Sequence, residues 1–141
     1  MQENYLITIE GTVAYGDDTD TVSLTTVGSF HKKGDKYYIS YKESEATGFE
    51  GGTTTLKAWG DTVSMMRFKG GLTSNMTIEK GAVNICSYPT PMGPIIMDIH
   101  GVDMNNGLTA SGGQLSISYS LNSGGMLISD NTVNVTVKEI N

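Results

Sequence analysis

A strict alternation of apolar and polar residues constrains this chain more than any other feature. In segment 114–122 the residues between the apolar positions are serines, and the apolar positions themselves are Leu115, Ile117, Tyr119 and Leu121. Successive side chains of a β-strand point to opposite faces, so such a run has one buried face and one solvated face. The same period recurs along the whole chain, whereas the 3.6-residue period of an amphipathic helix is almost absent. The pattern predicts an all-β protein of antiparallel strands.

Short turn signals rich in Gly, Asp and Asn interrupt the alternation at fairly even intervals. They divide the chain into ten predicted strands, with boundaries near 4–15, 20–33, 36–46, 53–59, 62–69, 72–79, 82–88, 94–105, 112–122 and 126–140. Turns are expected at 48–52, 90–93 and 105–107 among others, and the last strand contains a candidate break at 129–131. No repeat, linker or change of composition divides the chain, so residues 1–141 are expected to form a single domain.

Ten consecutive antiparallel strands leave exposed edges unless the sheet closes on itself. Closure into a meander barrel removes the edges and leaves an interior for side chains or one small ligand. A two-sheet sandwich is the alternative that alternation leaves open. The short connections between successive strands favour the single antiparallel meander β-barrel.

Composition excludes several classes of function. Nine basic against 15 acidic residues give a net charge of −6, which disfavours nucleic acid and anionic membrane surfaces as partners. A single Cys and two His argue against an internal disulfide and a zinc site, so we expect no metal and no cofactor. No apolar run reaches the ~18 residues of a membrane span. The first ten residues lack the basic start of a signal peptide, so a cytoplasmic location is expected.

The sequence lacks the common catalytic motifs: the nucleophile elbow, the phosphate loop, the dinucleotide fingerprint and the helical zinc motif. Cys86 and His100 are the one available thiol–imidazole combination. If a hairpin pairs Cys86 with Met97, His100 lies three positions farther along the strand, about 10 Å from Cys86. We therefore expect Cys86 to be a buried apolar residue, predict no catalytic residue, and favour a non-enzymatic role.

Six short segments occur in a characteristic order: Tyr38-Ile-Ser-Tyr-Lys-Glu43, Thr53-Thr-Thr-Leu-Lys57, Met66-Arg67, Met76-Thr-Ile-Glu-Lys-Gly81, Tyr88-Pro-Thr-Pro-Met-Gly93 and Ile117-Ser-Tyr-Ser-Leu121. Together they resemble the YwiB-like family of uncharacterised, mostly Firmicute proteins, over nearly the whole chain. The resemblance implies a calycin-like (lipocalin-type) β-barrel in the bacterial cytoplasm. It implies no catalytic residues.

Two charged residues fall on predicted apolar faces. Strand 36–46 places Glu43 on the face of Ile39 and Tyr41. A two-residue turn at Gly60-Asp61 pairs Arg67 with Thr54 in the hairpin 53–69. Long charged side chains are rarely buried without a partner. We therefore expect Glu43, also level with Thr54, to form a buried ion pair with Arg67.

The interior is expected to be rich in methionine and tyrosine, because the chain has eight Met and seven Tyr against three Phe and one Trp. These residues suit an adaptable cavity, although they also fill an ordinary core. The predicted ligand-binding residues inside the barrel are Tyr41, Glu43, Met65, Arg67 and Tyr119.

Three functions follow from these expectations. The favoured one is a non-enzymatic binder of a small apolar or amphipathic molecule inside the barrel. The alternatives are a filled barrel that acts as a structural or regulatory protein-interaction module, and a small enzyme that uses Glu43 and Arg67. An interior void of ~300 Å³ or more favours the first over the second. The oligomeric state is left open, with a homodimer as one option.

Overall fold

A computed structural model describes residues 4–45, 50–88 and 91–140. The described residues form ten β-strands and no α-helix, so the predicted all-β class is confirmed. The strands are β1 (Tyr5–Tyr15), β2 (Asp18–Lys33), β3 (Lys36–Lys42), β4 (Thr53–Trp59), β5 (Thr62–Lys69), β6 (Leu72–Glu79), β7 (Val83–Tyr88), β8 (Ile95–Thr109), β9 (Gly112–Ser123) and β10 (Met126–Glu139).

All ten strands belong to one antiparallel sheet in the order β6-β5-β4-β3-β2-β1-β10-β9-β8-β7. The first strand pairs with the last, from Tyr5 opposite Glu139 to Ala14 opposite Asp130. The two ends of the sheet, β6 and β7, come to lie side by side. The predicted meander barrel is therefore confirmed, and it is nearly closed, with one unsealed seam between β6 and β7.

One end of the barrel carries the connections that follow β1, β3, β5, β7 and β9, and we call it the mouth. Inward-facing residues fill the interior. The largest fully buried side chains are aliphatic apart from Thr54: Ile7, Ile39, Leu56, Val63, Ile78, Ile99, Leu115, Ile117 and Val135. Burial of this apolar surface is the main source of stability for such a fold.

Two strand ends differ clearly from the prediction. β3 ends at Lys42 rather than near residue 46, and the next residue, Glu43, donates its backbone N–H to Gly52 O (2.9 Å) just before β4 begins. β8 continues to Thr109, and the expected turn at 105–107 lies within its ladder with β9. Long-range pairing here overrides a local Asn-Gly turn signal. Parts of the turns expected at 48–52 and 90–93 lie outside the described residues.

Two bulges adjust which side chains face inward. One interrupts the β8 register between Gly101 and Asp103, and the other interrupts β10 between Leu127 and Ser129. The break that the sequence suggested at 129–131 is wrong, because these residues pair in regular register with β9 and the irregularity lies just before them. A bulge places one extra residue on one strand and thereby changes which of the following side chains face the interior.

The seam between β6 and β7 is fastened at the end away from the mouth. Gly81 N donates to Gly101 O (2.9 Å), and Gly101 N donates to Ala82 O (3.0 Å). A Cβ on Gly101 would overlap the carbonyl oxygen of Glu79, so only glycine permits this approach. From this fastening to the mouth, no backbone ladder joins β6 to β7 among the described residues.

Candidate functional site

A row of four inward-facing residues crosses the strands next to the seam. Tyr41 lies opposite Thr54, Thr54 opposite Arg67, and Arg67 opposite Ser74. The pairing of Thr54 with Arg67 confirms the register predicted from the Gly60-Asp61 turn. Because Ser74 lies on β6, at the end of the sheet, Arg67 is one strand away from the unsealed seam.

Arg67 and Glu43 form the expected ion pair, with Arg67 Nη2 3.8 Å from Glu43 Oε2. The expected register was wrong, since Tyr41 and not Glu43 lies opposite Thr54. Full burial of the pair was also wrong. The Glu43 side chain is 1% exposed, whereas that of Arg67 is 35% exposed, because Arg67 extends toward the seam. One partner is therefore sequestered while the other reaches solvent.

Tyr41 completes the polar group around Glu43. Burial and the nearby Glu43 charge raise the pKa of Tyr41 well above its usual value of 10.0, as does a hydrogen bond to the Glu43 carboxylate. The positive charge of Arg67 opposes this rise. Tyr41 is therefore held as a neutral hydroxyl beside a carboxylate.

Tyr119 approaches the same group from β9. Burial raises the pKa of Tyr119, and the charge of Arg67 lowers it, which places the phenol within electrostatic range of the guanidinium. Four of the five predicted site residues thus meet around Arg67. We call Tyr41, Glu43, Arg67 and Tyr119 the polar cluster.

Two buried polar residues beside Tyr119 were not among the predicted site residues. Asn131 lies opposite Tyr119 and donates from Nδ2 to Ser129 Oγ (3.0 Å). Both residues are buried. Counting back by twos from Val135 and Val133 places Asn131 on the buried face, so the alternation contained the signal for it.

Between β6 and β7 lies a small opening, which we call the seam cleft. Its floor is formed by Met65, Arg67 and Met97, and its two walls are Ser74 to Met76 of β6 and Cys86 to Tyr88 of β7. Its volume is about 50 Å³, well below the ~300 Å³ typical of a preformed ligand pocket. The seam cleft is therefore too small to be a preformed ligand pocket, and Arg67 of the polar cluster reaches solvent through it beside Met65, Met76 and Met97.

Exposed apolar side chains lie on both hairpins that flank the seam cleft at the mouth. Leu72 lies on the β5–β6 hairpin, and Tyr88 and Ile95 lie on the β7–β8 hairpin, all of them at least 40% exposed. Phe68, also exposed, lies on the outer face of β5. Grouped exposed apolar residues on a protein of this size often mark a contact surface.

Cys86 and His100 do not form a catalytic pair. Cys86 lies opposite Met97 as predicted, whereas His100 lies opposite Val83 at the far end of the hairpin. Burial raises the pKa of the Cys86 thiol, which disfavours the reactive thiolate. Among the described residues, no group of three or more His, Cys, Asp or Glu side chains is arranged to hold a metal ion, and no helix is long and apolar enough to cross a membrane.

Comparison with known proteins identifies a family and a fold. A family model described as a domain of unknown function, DUF1934, matches residues 7–135. The crystal structure of the ywiB protein from Bacillus subtilis is similar, with a TM-score of 0.82 at 18% sequence identity, covering 99% of this chain and 93% of that one. No curated protein sequence matches the chain significantly. At this level of identity the structural similarity establishes the barrel fold alone.

Proposed function

Because the chain belongs to the YwiB-like DUF1934 family, which is described only as a domain of unknown function, we propose a function from the geometry of the site. The barrel is a non-enzymatic binding protein. It takes a partly apolar molecule into the seam cleft, where a carboxylate of that molecule contacts Arg67.

The unequal exposure of the ion pair carries this proposal. Glu43 is almost fully buried, while about a third of the Arg67 side chain remains exposed in the floor of the seam cleft. An arginine presents five N–H donors in a planar fork, so it engages a second carboxylate while keeping its first. The buried Glu43 holds the guanidinium in place, and this reduces the entropy lost on binding.

The methionines explain how a small opening admits a larger group. Met65, Met76 and Met97 line the seam cleft, and methionine side chains adapt readily because they are unbranched and flexible. The missing ladder between β6 and β7 removes the backbone hydrogen bonds that would otherwise resist widening. The site therefore forms by local rearrangement on binding rather than as a preformed pocket.

The test uses octanoate and octylamine, which share a similar apolar chain and carry opposite charges. Isothermal titration calorimetry is expected to detect octanoate binding, with little or no binding of octylamine. Arg67→Met abolishes octanoate binding in this account, whereas Lys138→Met, which removes an exposed cation on β10, leaves it unchanged. Equal binding of the two probes, or no binding of octanoate at millimolar concentration, contradicts the proposal.

A role as a protein-interaction module is the second candidate, favoured by the exposed apolar residues at the mouth. An enzymatic role has less support, since Glu43 is buried against Arg67 and Tyr41 is held neutral. The cytoplasmic location, the lipocalin-like label and a homodimer remain predictions from the sequence.

A further inference from the structure

The geometry of the seam points to a specific class of ligand: we infer that the seam cleft receives the carboxyl-terminal end of an extended peptide. The peptide enters from the mouth, adds as a short strand between β6 and β7, and places its terminal carboxylate on Arg67. This inference rests on the proposed function and narrows it to one ligand class.

The two strands that border the seam each have an unpaired edge. β6 is paired along one side with β5, and β7 is paired along one side with β8. No ladder occupies their facing sides among the described residues. Backbone N–H and C=O groups on such an edge need partners, and an edge strand is a ready template for another chain.

An extended peptide satisfies these edges, whereas an alkyl carboxylate does not. A lipid-like chain offers no backbone donors or acceptors to the groups that border the seam. A peptide strand offers both, in the spacing of a β-ladder.

The position of Arg67 fixes which end of the peptide enters. Arg67 is level with Ser74, two residues in from Leu72 at the mouth end of β6. A group that contacts Arg67 therefore lies only a short distance inside the seam. A terminal carboxylate reaches this depth with one or two residues of strand, and it complements the positive charge there.

The size of the seam cleft fits a single terminal side chain better than a long ligand. A volume of about 50 Å³ compares with the ~30 Å³ that one water molecule occupies in the liquid. The adaptable methionines supply the remaining space for one aliphatic side chain. The preceding residues then lie at the mouth, between the exposed Leu72 on one side and Tyr88 on the other.

The experiment compares two peptide pools on the full chain by hydrogen–deuterium exchange. Both are acetylated hexapeptides with Val, Thr or Leu at each position, and one ends in a free carboxylate while the other ends in an amide. The free-acid pool is expected to slow exchange in segments 72–79 and 83–88, and to bind about tenfold or more tightly than the amide pool. Arg67→Met removes this difference between the pools, while Lys138→Met preserves it.

The outcomes separate this inference from the proposed function. Equal binding of the two pools, or protection located away from β6 and β7, overturns the carboxyl-terminal site. Binding of octanoate with no binding of either pool overturns the peptide inference and leaves the proposed function standing. Binding of neither octanoate nor peptide overturns both.

Discussion

Arg67 and Glu43 lie 3.8 Å apart, and their exposures differ more than thirtyfold, at 35% and 1% of the side chain. This asymmetry connects the fold to the proposed function. A closed barrel would bury both partners and make the pair purely structural. The unsealed seam leaves Glu43 inside and brings Arg67 to the surface of the seam cleft, where we propose that it contacts the ligand.

The Arg67–Glu43 ion pair is expected to contribute more to the free energy of unfolding than a surface ion pair and less than a fully buried one. Arg67→Met leaves the buried Glu43 carboxylate without its charge partner and should lower the free energy of unfolding by about 1–3 kcal/mol. Because Arg67 is partly exposed, solvent screens its interaction with Glu43 and limits this loss of stability. Combining Arg67→Met with Glu43→Leu should recover most of it. Urea denaturation of the two single variants and the double variant measures the coupling, and strictly additive losses would show that the residues do not interact.

The backbone contact at Gly101 is expected to hold the seam together. In Gly101→Ala, the new methyl group meets the Glu79 carbonyl and forces the β6–β7 turn away from β8. We expect a loss of about 2 kcal/mol or more and faster hydrogen exchange at Gly81. The matched control is Gly107→Ala on the same strand, where the new Cβ lies 3.1 Å from Gln114 O and needs only a small adjustment. Equal effects of the two substitutions would contradict this role.

The two buried tyrosines, Tyr41 and Tyr119, are expected to make the free energy of unfolding fall at alkaline pH. The pKa of Tyr41 and that of Tyr119 are raised in the folded state above the usual 10.0. Their contribution is therefore fully present below pH 10 and is lost as the pH rises toward the folded-state values. Replacing both with Phe removes the two ionisations, so stability should decline less steeply above pH 10. Urea unfolding as a function of pH measures the slope, and an unchanged slope would contradict the assignment.

Cys86 reports on the opening of the seam cleft. The thiol is buried, and burial raises its pKa, so its reaction with a disulfide reagent at neutral pH should be slow compared with that of the urea-unfolded chain. Octanoate should slow the reaction further by filling the cleft, and Gly101→Ala should accelerate it. A rate close to that of the unfolded chain, unaffected by octanoate, would place the thiol outside the site.

Local alternation was sufficient to predict most of the fold. The tight turn at Gly60-Asp61 fixes the register of its hairpin, which is why Arg67 opposite Thr54 was predicted correctly. The register at Glu43 was wrong because a long loop separates β3 from β4, and a loop of that length does not determine which residues pair. The same loop carries Glu43 out of the β3 ladder.

The unsealed seam was not predictable from alternation. β6 and β7 carry the same alternating pattern and turn signal as the hairpins that do pair. Instead of a ladder between them, the described contacts at their turn include a backbone contact with Gly101, a residue about twenty positions away on β8. A long-range backbone contact of this kind has no signature in a local window of sequence. The exposure of Arg67, and with it the site, depends on the open part of the seam between this contact and the mouth.

Methyl NMR of the methionines tests the central claim most directly. Chains labelled at the methionine methyl carbons give one resonance for each of the eight methionines, assigned by single Met→Leu substitutions. Titration with octanoate is predicted to shift the resonances of Met65, Met76 and Met97, which line the seam cleft. Met66, on the outward face of the same strand as Met65, should not move. Shifts at Met66 comparable with those at Met65, or no shift at the three cleft methionines, would contradict binding at the seam.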